Sequence, residues 1–275
     1  MALSGVNLSP EEFLAQSRAV DRRAYFVRGY PAYLAPLAHR MLEARLTPPV
    51  PPRVVISGGE TLTALDAESI KRAFGSPVVN HYAAWEVQHM AQTCPDNPDV
   101  MHVFSERVVL RVVGEDGQPA PPGSWGRIVV TVLHNYVMPF INYEIGDTGL
   151  AGPPCPCGRG FPTLVRIEGR LGEAFRTPAG RIISPATFDK VFRFCADYVR
   201  EFQGERTAAA AMTVRVVPTA RFNLEIAERI RSELEGYGGP GMEVRVEVVP
   251  EIPLEPSGKR SVLTSSVGGP AAAGL

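Results

Sequence analysis

With 275 residues, 45% hydrophobic and 21% charged, the chain can bury a sizeable core and is long enough for two domains. A formal net charge of −1 and a pI near 6.5 give no electrostatic case for nucleic acid or an anionic membrane surface, so both partners are set aside. No apolar run reaches spanning length and the first thirty residues, with Glu11, Glu12, Asp21, Arg22 and Arg23, hold no signal-peptide core, so a cytoplasmic location is expected.

In chain order, Ser9 and Glu12 have capping-box spacing and open a helical stretch expected to run to Arg28. Leu34, Leu37, Met41 and Leu42 recur at helical spacing, and the prolines at 48, 49, 51 and 52 stop that second helix. Arg53 to Ile56 is a short β-branched run that empties into Ser57, Gly58, Gly59 and Glu60, followed by a helix from Leu65 to Phe74. Strand, glycine turn and helix make the α/β unit in which backbone amides face a ligand.

Pro77 to Asn80 is strand-like, and His81 to Glu86 is expected to turn into a short helix. Val103 to Val113 and Gly126 to Leu133 are expected as paired strands, joined by a polar loop from Gly114 to Ser124. Tyr143 to Gly149 reads YEIGDTG: an acidic side chain between glycines either forms an ordinary Asp turn or lets a ligand's hydroxyls approach the backbone. Beyond Val165 to Arg170 the chain alternates helix (Phe188 to Phe202), strand (Met212 to Val217), helix (Leu224 to Leu234) and strand (Val244 to Val249). The Gly, Ala and Ser-rich tail from Ser265 to Leu275 is expected to be disordered.

SGGE (Ser57 to Glu60), HYAAWE (His81 to Glu86), YEIGDTG, RIEGR (Arg166 to Arg170) and PSGK (Pro256 to Lys259) occur in one order. That order resembles the adenylate-forming enzymes. GYP at Gly29 to Pro31, TVLHN at Thr131 to Asn135 and CPCGR at Cys155 to Arg159 make the chain most similar to the phenylacetate-CoA ligase branch. The resemblance implies a partial adenylate-forming large domain of mixed sheets and helices over residues 1–170, a small α+β AMP-binding lid over 171–264, and the tail 265–275.

It also implies roles. Gly58, Gly59 and Glu60 match the segment along adenine, and Tyr82 matches the aromatic that stacks on the purine. Glu86 matches an acidic residue that helps hold Mg2+, a hard cation that prefers oxygen ligands. Asp147 matches the carboxylate that accepts the ribose hydroxyls, with Arg170 beside it at the domain joint. Lys259 matches the lysine that stabilises charge as a carboxylate attacks ATP, after which the small domain rotates and coenzyme A attacks the acyl-adenylate. Taken alone, Tyr82 would be a core aromatic, Glu86 a solvated residue and Lys259 a surface lysine.

Four cysteines in a chain this long do not form a disulfide framework. Cys155 and Cys157 lie in a Pro and Gly-rich knuckle, while Cys94 and His102 flank the loop 95–101, a sufficient tetrahedral set for structural zinc if folding joins them. Ordinary reduced thiols are the other reading, and Cys195 is expected to be packed core. Glu86 and His89 spell Glu-x-x-His, but a carboxylate-bridged iron site needs a second such motif and a helical bundle. A G-x-S-x-G nucleophile motif is absent from the sequence.

Two departures from the family pattern stand out. Nothing before Gly29 resembles the phosphate-gripping loop that lies upstream of GYP in the family, and Gly172 occupies the position of the usual hinge aspartate. The expected function is therefore that of an acid–CoA ligase acting on an aryl or arylacetic acid with ATP, Mg2+ and coenzyme A. The chain is expected to be a C-terminal portion, from an incomplete gene or as one half of a split enzyme, weak or inactive alone, with a separately encoded N-terminal half or a homodimer as its expected protein partner. The alternative is a non-catalytic adenylate or acyl-CoA binding module or a degenerate ligase.

Overall fold

The computed structural model describes residues 9–18, 25–170, 174–255 and 259–267. The described residues form two compact units, residues 9–78 with 174–267, and residues 79–170. The hinge position Gly172, the residues Pro256, Ser257 and Gly258 of PSGK, and the tail from 268 onward lie outside the described residues.

In the first unit, α1 (Pro10–Arg18) starts with the expected box: the Ser9 amide donates to Glu12 at 2.8 Å and the Glu12 amide to the Ser9 hydroxyl at 3.1 Å. The helix does not reach Arg28. Phe26–Gly29 is a strand, β1, paired in parallel with β2 (Val54–Gly58) from Phe26 opposite Val54 to Gly29 opposite Ser57. Pairing and the burial of Val27 override the local helical reading. Helices α2 (Pro31–Glu43) and α3 (Ala64–Phe74) fall where apolar spacing places them; α3 is capped by the Thr63 hydroxyl on the Asp66 amide and ends at Gly75 in the left-handed region. Phe13, Leu34, Met41, Val55, Ile70 and Phe74 form their shared core.

The rest of this unit follows from residue 174. β10 (Phe175–Arg176) and β11 (Ile182–Ile183) make a small antiparallel pair before α4 (Pro185–Phe192). The single helix expected over Phe188 to Phe202 is in fact α4, a turn, and strand β12 (Val199–Ala208). The apolar residues there fit either period, and packing decides: on β12, Phe202 stacks on Phe192 with ring centroids 3.9 Å apart. β12 pairs antiparallel with β13 (Ala211–Pro218), α5 (Leu224–Gly238) crosses to β14 (Glu243–Val248) beside β13, and β15 (Leu263–Ser265) adds in parallel to β12. Ser265 therefore closes a strand, and the Ser266 amide donates to the Arg206 carbonyl. Cys195 is buried in the core of this sheet.

The second unit is an antiparallel sheet in the order β3-β4-β5-β9-β8-β7-β6, comprising β3 (Val78–Ala84), β4 (Gln88–Thr93), β5 (Met101–Val103), β6 (Val108–Val113), β7 (Trp125–Val132), β8 (Tyr143–Ala151) and β9 (Thr163–Arg170). Three local expectations change. His81 to Glu86 does not lead into a helix; it runs along β3 into a hairpin turn before β4, with Gln88 at φ 65°. Val103 to Val113 is split by a turn into β5 and β6, which have different partners. Tyr143 to Gly149 lies within β8, where Gly146 at φ 86° precedes a bulge between Asp147 and Thr148. A bulge re-aims side chains without ending the strand. Met90, Ile128, Val130 and Leu164 sit in the core of this unit.

Candidate functional site

In the second unit, HYAAWE and YEIGDTG are locked to each other twice. Tyr82 on β3 donates its phenol to Asp147 Oδ2 on β8 at 2.6 Å, and Tyr143 at the start of β8 donates to Glu86 Oε1 in the β3–β4 turn at 3.1 Å. Each motif thus supplies a tyrosine to the other's carboxylate. Three strands separate β3 from β8 in the sheet, roughly 19 Å along a flat one at ~4.8 Å per step, so direct contact requires the sheet to curl back on itself. Burial pushes the Tyr82 phenol far above its ordinary range, and the Asp147 carboxylate pushes it further, so it remains a neutral donor. Arg170 stands opposite Asp147 in the β8–β9 register, and Glu86 is exposed on its turn. Tyr143 was not singled out from the sequence; its signal was its place at the head of YEIGDTG.

Gly58, Gly59, Glu60 and Lys259 belong to the other unit. Gly59 has φ 84°, and a Cβ there would lie 2.3 Å from the Tyr30 ring, so the GYP and SGGE segments pack through the missing side chain. Glu60 does more than flank a loop. Its Oε2 accepts the Ala32 amide at 3.1 Å, in the first turn of α2, where a carboxylate complements the helix dipole. Burial raises the Glu60 pKa, while the Ala32 amide and the charges of Arg260 and Lys259 oppose that rise. Lys259 is partly buried, and its carbonyl accepts the Glu255 amide at 2.8 Å.

The cysteine expectation is geometrically specific. Cys94 follows β4, His102 lies on β5, and Cys155 and Cys157 lie between β8 and β9; pairing of β5 with β9 brings the two halves together. Their ligand atoms all lie within 4.8 Å of one another. Cys94 and Cys155 sulfurs are 3.9 Å apart, and Cys157 Sγ is 3.3 Å from His102 Nε2. Ligands at ~2.3 Å for sulfur and ~2.0 Å for nitrogen from a tetrahedral centre would be about 3.8 Å apart for two sulfurs and about 3.5 Å for sulfur and nitrogen. Asn97 Nδ2 and Arg159 Nη1 each approach a sulfur, Cys155 and Cys94 respectively, at 3.8 Å. His102 is buried with Nδ1 lacking a partner among the described residues, so its compensating interactions lie at Nε2. The donor set fits zinc.

The fold matches that of solved acyl-CoA ligases, and a small sheet is formed by the C-terminal residues. The chain matches 2-hydroxyisobutyryl-CoA ligase in the postadenylation state in complex with R3-HIB-AMP with a TM-score of 0.78 and 22% identity, covering 95% of this chain and 58% of that one. The same ligase with 2-HIB-AMP and CoA in the thioesterification state gives 0.56 at 22% identity, with the same coverages of 95% and 58%.

The sequence relatives are more particular. Residues 175–266 match the CapK C-terminal domain. Phenylacetate-coenzyme A ligase of Thermus thermophilus is 26% identical over 158 residues, 56% of this chain and 36% of that protein. Protein CapK of Staphylococcus aureus is 23% identical over 242 residues, 87% of this chain and 52% of that protein. The chain is thus homologous to phenylacetate-CoA ligase and CapK, and spans about a third and about half of their lengths.

Proposed function

We propose that this chain carries the nucleotide-binding portion of an AMP-forming acid–CoA ligase. The observation that carries the reading is the double tyrosine–carboxylate exchange between HYAAWE and YEIGDTG. Tyr82 presents an aromatic face for the purine while its hydroxyl orients Asp147, whose carboxylate can accept up to about four hydrogen bonds and so can take ribose hydroxyls as well. Gly58 and Gly59 let adenine approach the main chain, Glu60 braces that turn on α2, and Arg170 supports the Asp147 strand from β9. Glu86, exposed and oriented by Tyr143, would hold Mg2+, which supplies charge neutralisation at the phosphates. Lys259 would stabilise negative charge as an aryl or arylacetic carboxylate attacks the α-phosphate, and residues 171–264 would act as the lid that turns before coenzyme A attacks.

Cys94, His102, Cys155 and Cys157 would hold a structural zinc that staples the β4–β5 and β8–β9 loops, in a cytoplasm that keeps thiols reduced. The phosphate-gripping part of the apparatus would lie on an N-terminal portion, in the same polypeptide or on a partner.

Calorimetry with AMP tests the nucleotide site. The folded chain should bind AMP, Asp147→Ala should abolish binding, and Lys259→Ala should leave it nearly intact while removing adenylation in a complemented complex. ATP–pyrophosphate exchange should be near background alone and rise when a matching N-terminal half is added. Absence of AMP binding by the folded chain would overturn the reading; binding with no exchange even after complementation would leave a non-catalytic module.

A further inference from the structure

The first unit buries an ionic cluster whose Asp66, Glu201 and Arg260 have no part in the nucleotide site proposed above. The Arg260 side chain is 5% exposed; its Nη2 donates to Asp66 Oδ2 at 3.0 Å, and its Nη1 lies 3.3 Å from Glu201 Oε2, within ion-pair reach but outside hydrogen-bond geometry. The Asp66 side chain is 1% exposed and also accepts the Thr63 hydroxyl at 2.8 Å. The Arg260 amide faces the Glu60 carboxylate, and His39 on α2 faces Asp66 and the Arg200 carbonyl. Glu60, His39 and Asp66 come from residues 9–78, whereas Glu201 and Arg260 come from 174–267, so the cluster joins two distant chain segments within one unit.

Such a cluster is a weak source of stability, because desolvation offsets most of the attraction, yet losing one partner strands the other charge. This one is also incompletely paired: Asp66 Oδ1, Glu60 Oε1 and His39 Nε2 are buried without partners among the described residues. Under-satisfied buried polar groups raise the free energy of the closed arrangement, as suits a contact that must open. Arg260 directly follows Lys259, so their Cα atoms are about 3.8 Å apart and fixing one restricts the other.

We propose that Asp66 and Glu201 form a carboxylate clamp on Arg260, that its closure positions Lys259, and that its rupture releases residues 174–267 from residues 9–78. Arg260, Asp66 and Glu201 are positioning residues. The role for Lys259 rests on the ligase reading; the clamp itself does not.

Hydrogen exchange on the full chain without nucleotide tests the clamp. In Asp66→Asn, amides around 61–66, 199–206 and 259–263 should exchange about a hundredfold to a thousandfold faster, the scale expected when one partner of a buried pair is lost, with β13, α5 and residues 79–170 unchanged. Arg260→Lys keeps the charge but loses the fork and should fall between, at about tenfold. Unchanged exchange, or uniform acceleration throughout 174–267, would overturn the clamp; if Asp66→Asn does not fold, Glu201→Gln carries the same comparison.

With a matching N-terminal half, Asp66→Asn should lower ATP–pyrophosphate exchange at least about tenfold while sparing acyl transfer from preformed acyl-adenylate to coenzyme A. Equal losses in both half-reactions would overturn positioning. Failure of the unmutated complex to exchange would remove the ligase reading and the role at Lys259, while the hydrogen-exchange result would still decide the clamp.

Discussion

The two units place their proposed functional polar residues differently. In residues 79–170 the main core is apolar, from Met90 to Leu164, and Tyr82, Glu86 and Asp147 stand on a scaffold whose geometry their own charges do not set. In the other unit Asp66, Arg260 and His39 are themselves interior and lie where two chain segments meet, beside the packing of Leu65 and the Arg200–Glu43 ion pair. The first arrangement tolerates loss of a site residue because packing holds the strands. The second adds a buried ion pair to its apolar cores, so loss of one partner strands a charge between two segments.

The largest expected effect is therefore in the charged unit. Asp66→Ala should cost about 3–5 kcal/mol in urea unfolding, because it leaves Arg260 buried without its best-placed partner. A loss below about 1 kcal/mol would erase the contrast with the apolar unit.

The zinc proposal tests the other side of the comparison. About one equivalent of zinc should copurify, and chelation should lower stability by about 3 kcal/mol if the site is saturated around a hundredfold over its dissociation constant. Cys155→Ser should reproduce that loss. Zinc below about a tenth of an equivalent, in protein never exposed to chelator, would refute the site.

Tyr82→Phe should cost about 1 kcal/mol, since it removes one hydrogen bond to a partly accessible carboxylate and keeps the ring packed. AMP affinity should fall less than in Asp147→Ala, as titration calorimetry on both variants can decide. Equal losses would mean that Asp147 acts on AMP only as the Tyr82 hydroxyl orients it.

The smallest effect is a pH dependence in the charged unit. Burial lowers the His39 pKa from its ordinary 6.5; Asp66, Glu43 and the Arg200 carbonyl oppose the shift, and the Arg200 charge adds to it. The stability that neutral His39 contributes is present above 6.5 and is lost as pH falls from there through the lower folded value, because the unfolded chain then binds the extra proton. Glu60 and Glu201, both raised chiefly by burial, work the other way: uptake of their protons in acid favours the folded state. The His39 contribution is thus the difference between wild type and His39→Gln, measured by urea unfolding from neutral to mildly acidic pH. Parallel curves would show that His39 does not titrate against the cluster.

Where local pattern was unambiguous, it matched the fold: the apolar spacing of α2 and α3, the Ser9 box, and the strand and glycine turn before Glu60. It failed where a short apolar run fits both periods. Phe26–Gly29 became β1 because β2 offered a parallel partner, and Phe202 joined a strand because it could then stack on Phe192. The HYAAWE segment became a hairpin because β4 pairs with it, information that lies outside the segment.

The sequence by itself determined which chemistry is available: three cysteines with one histidine at loop spacing, an ordered set of glycine, tyrosine and carboxylate motifs, and a lysine beside Arg260. Only the tertiary structure decided which of these meet. Curvature of an antiparallel sheet carries Tyr82 to Asp147 across three intervening strands, β5–β9 pairing gathers the cysteine cluster, and burial turns Arg260 from one arginine among many into a charge needing Asp66 and Glu201. Residue identity is local, whereas side-chain contact and desolvation depend on segments distant in the chain.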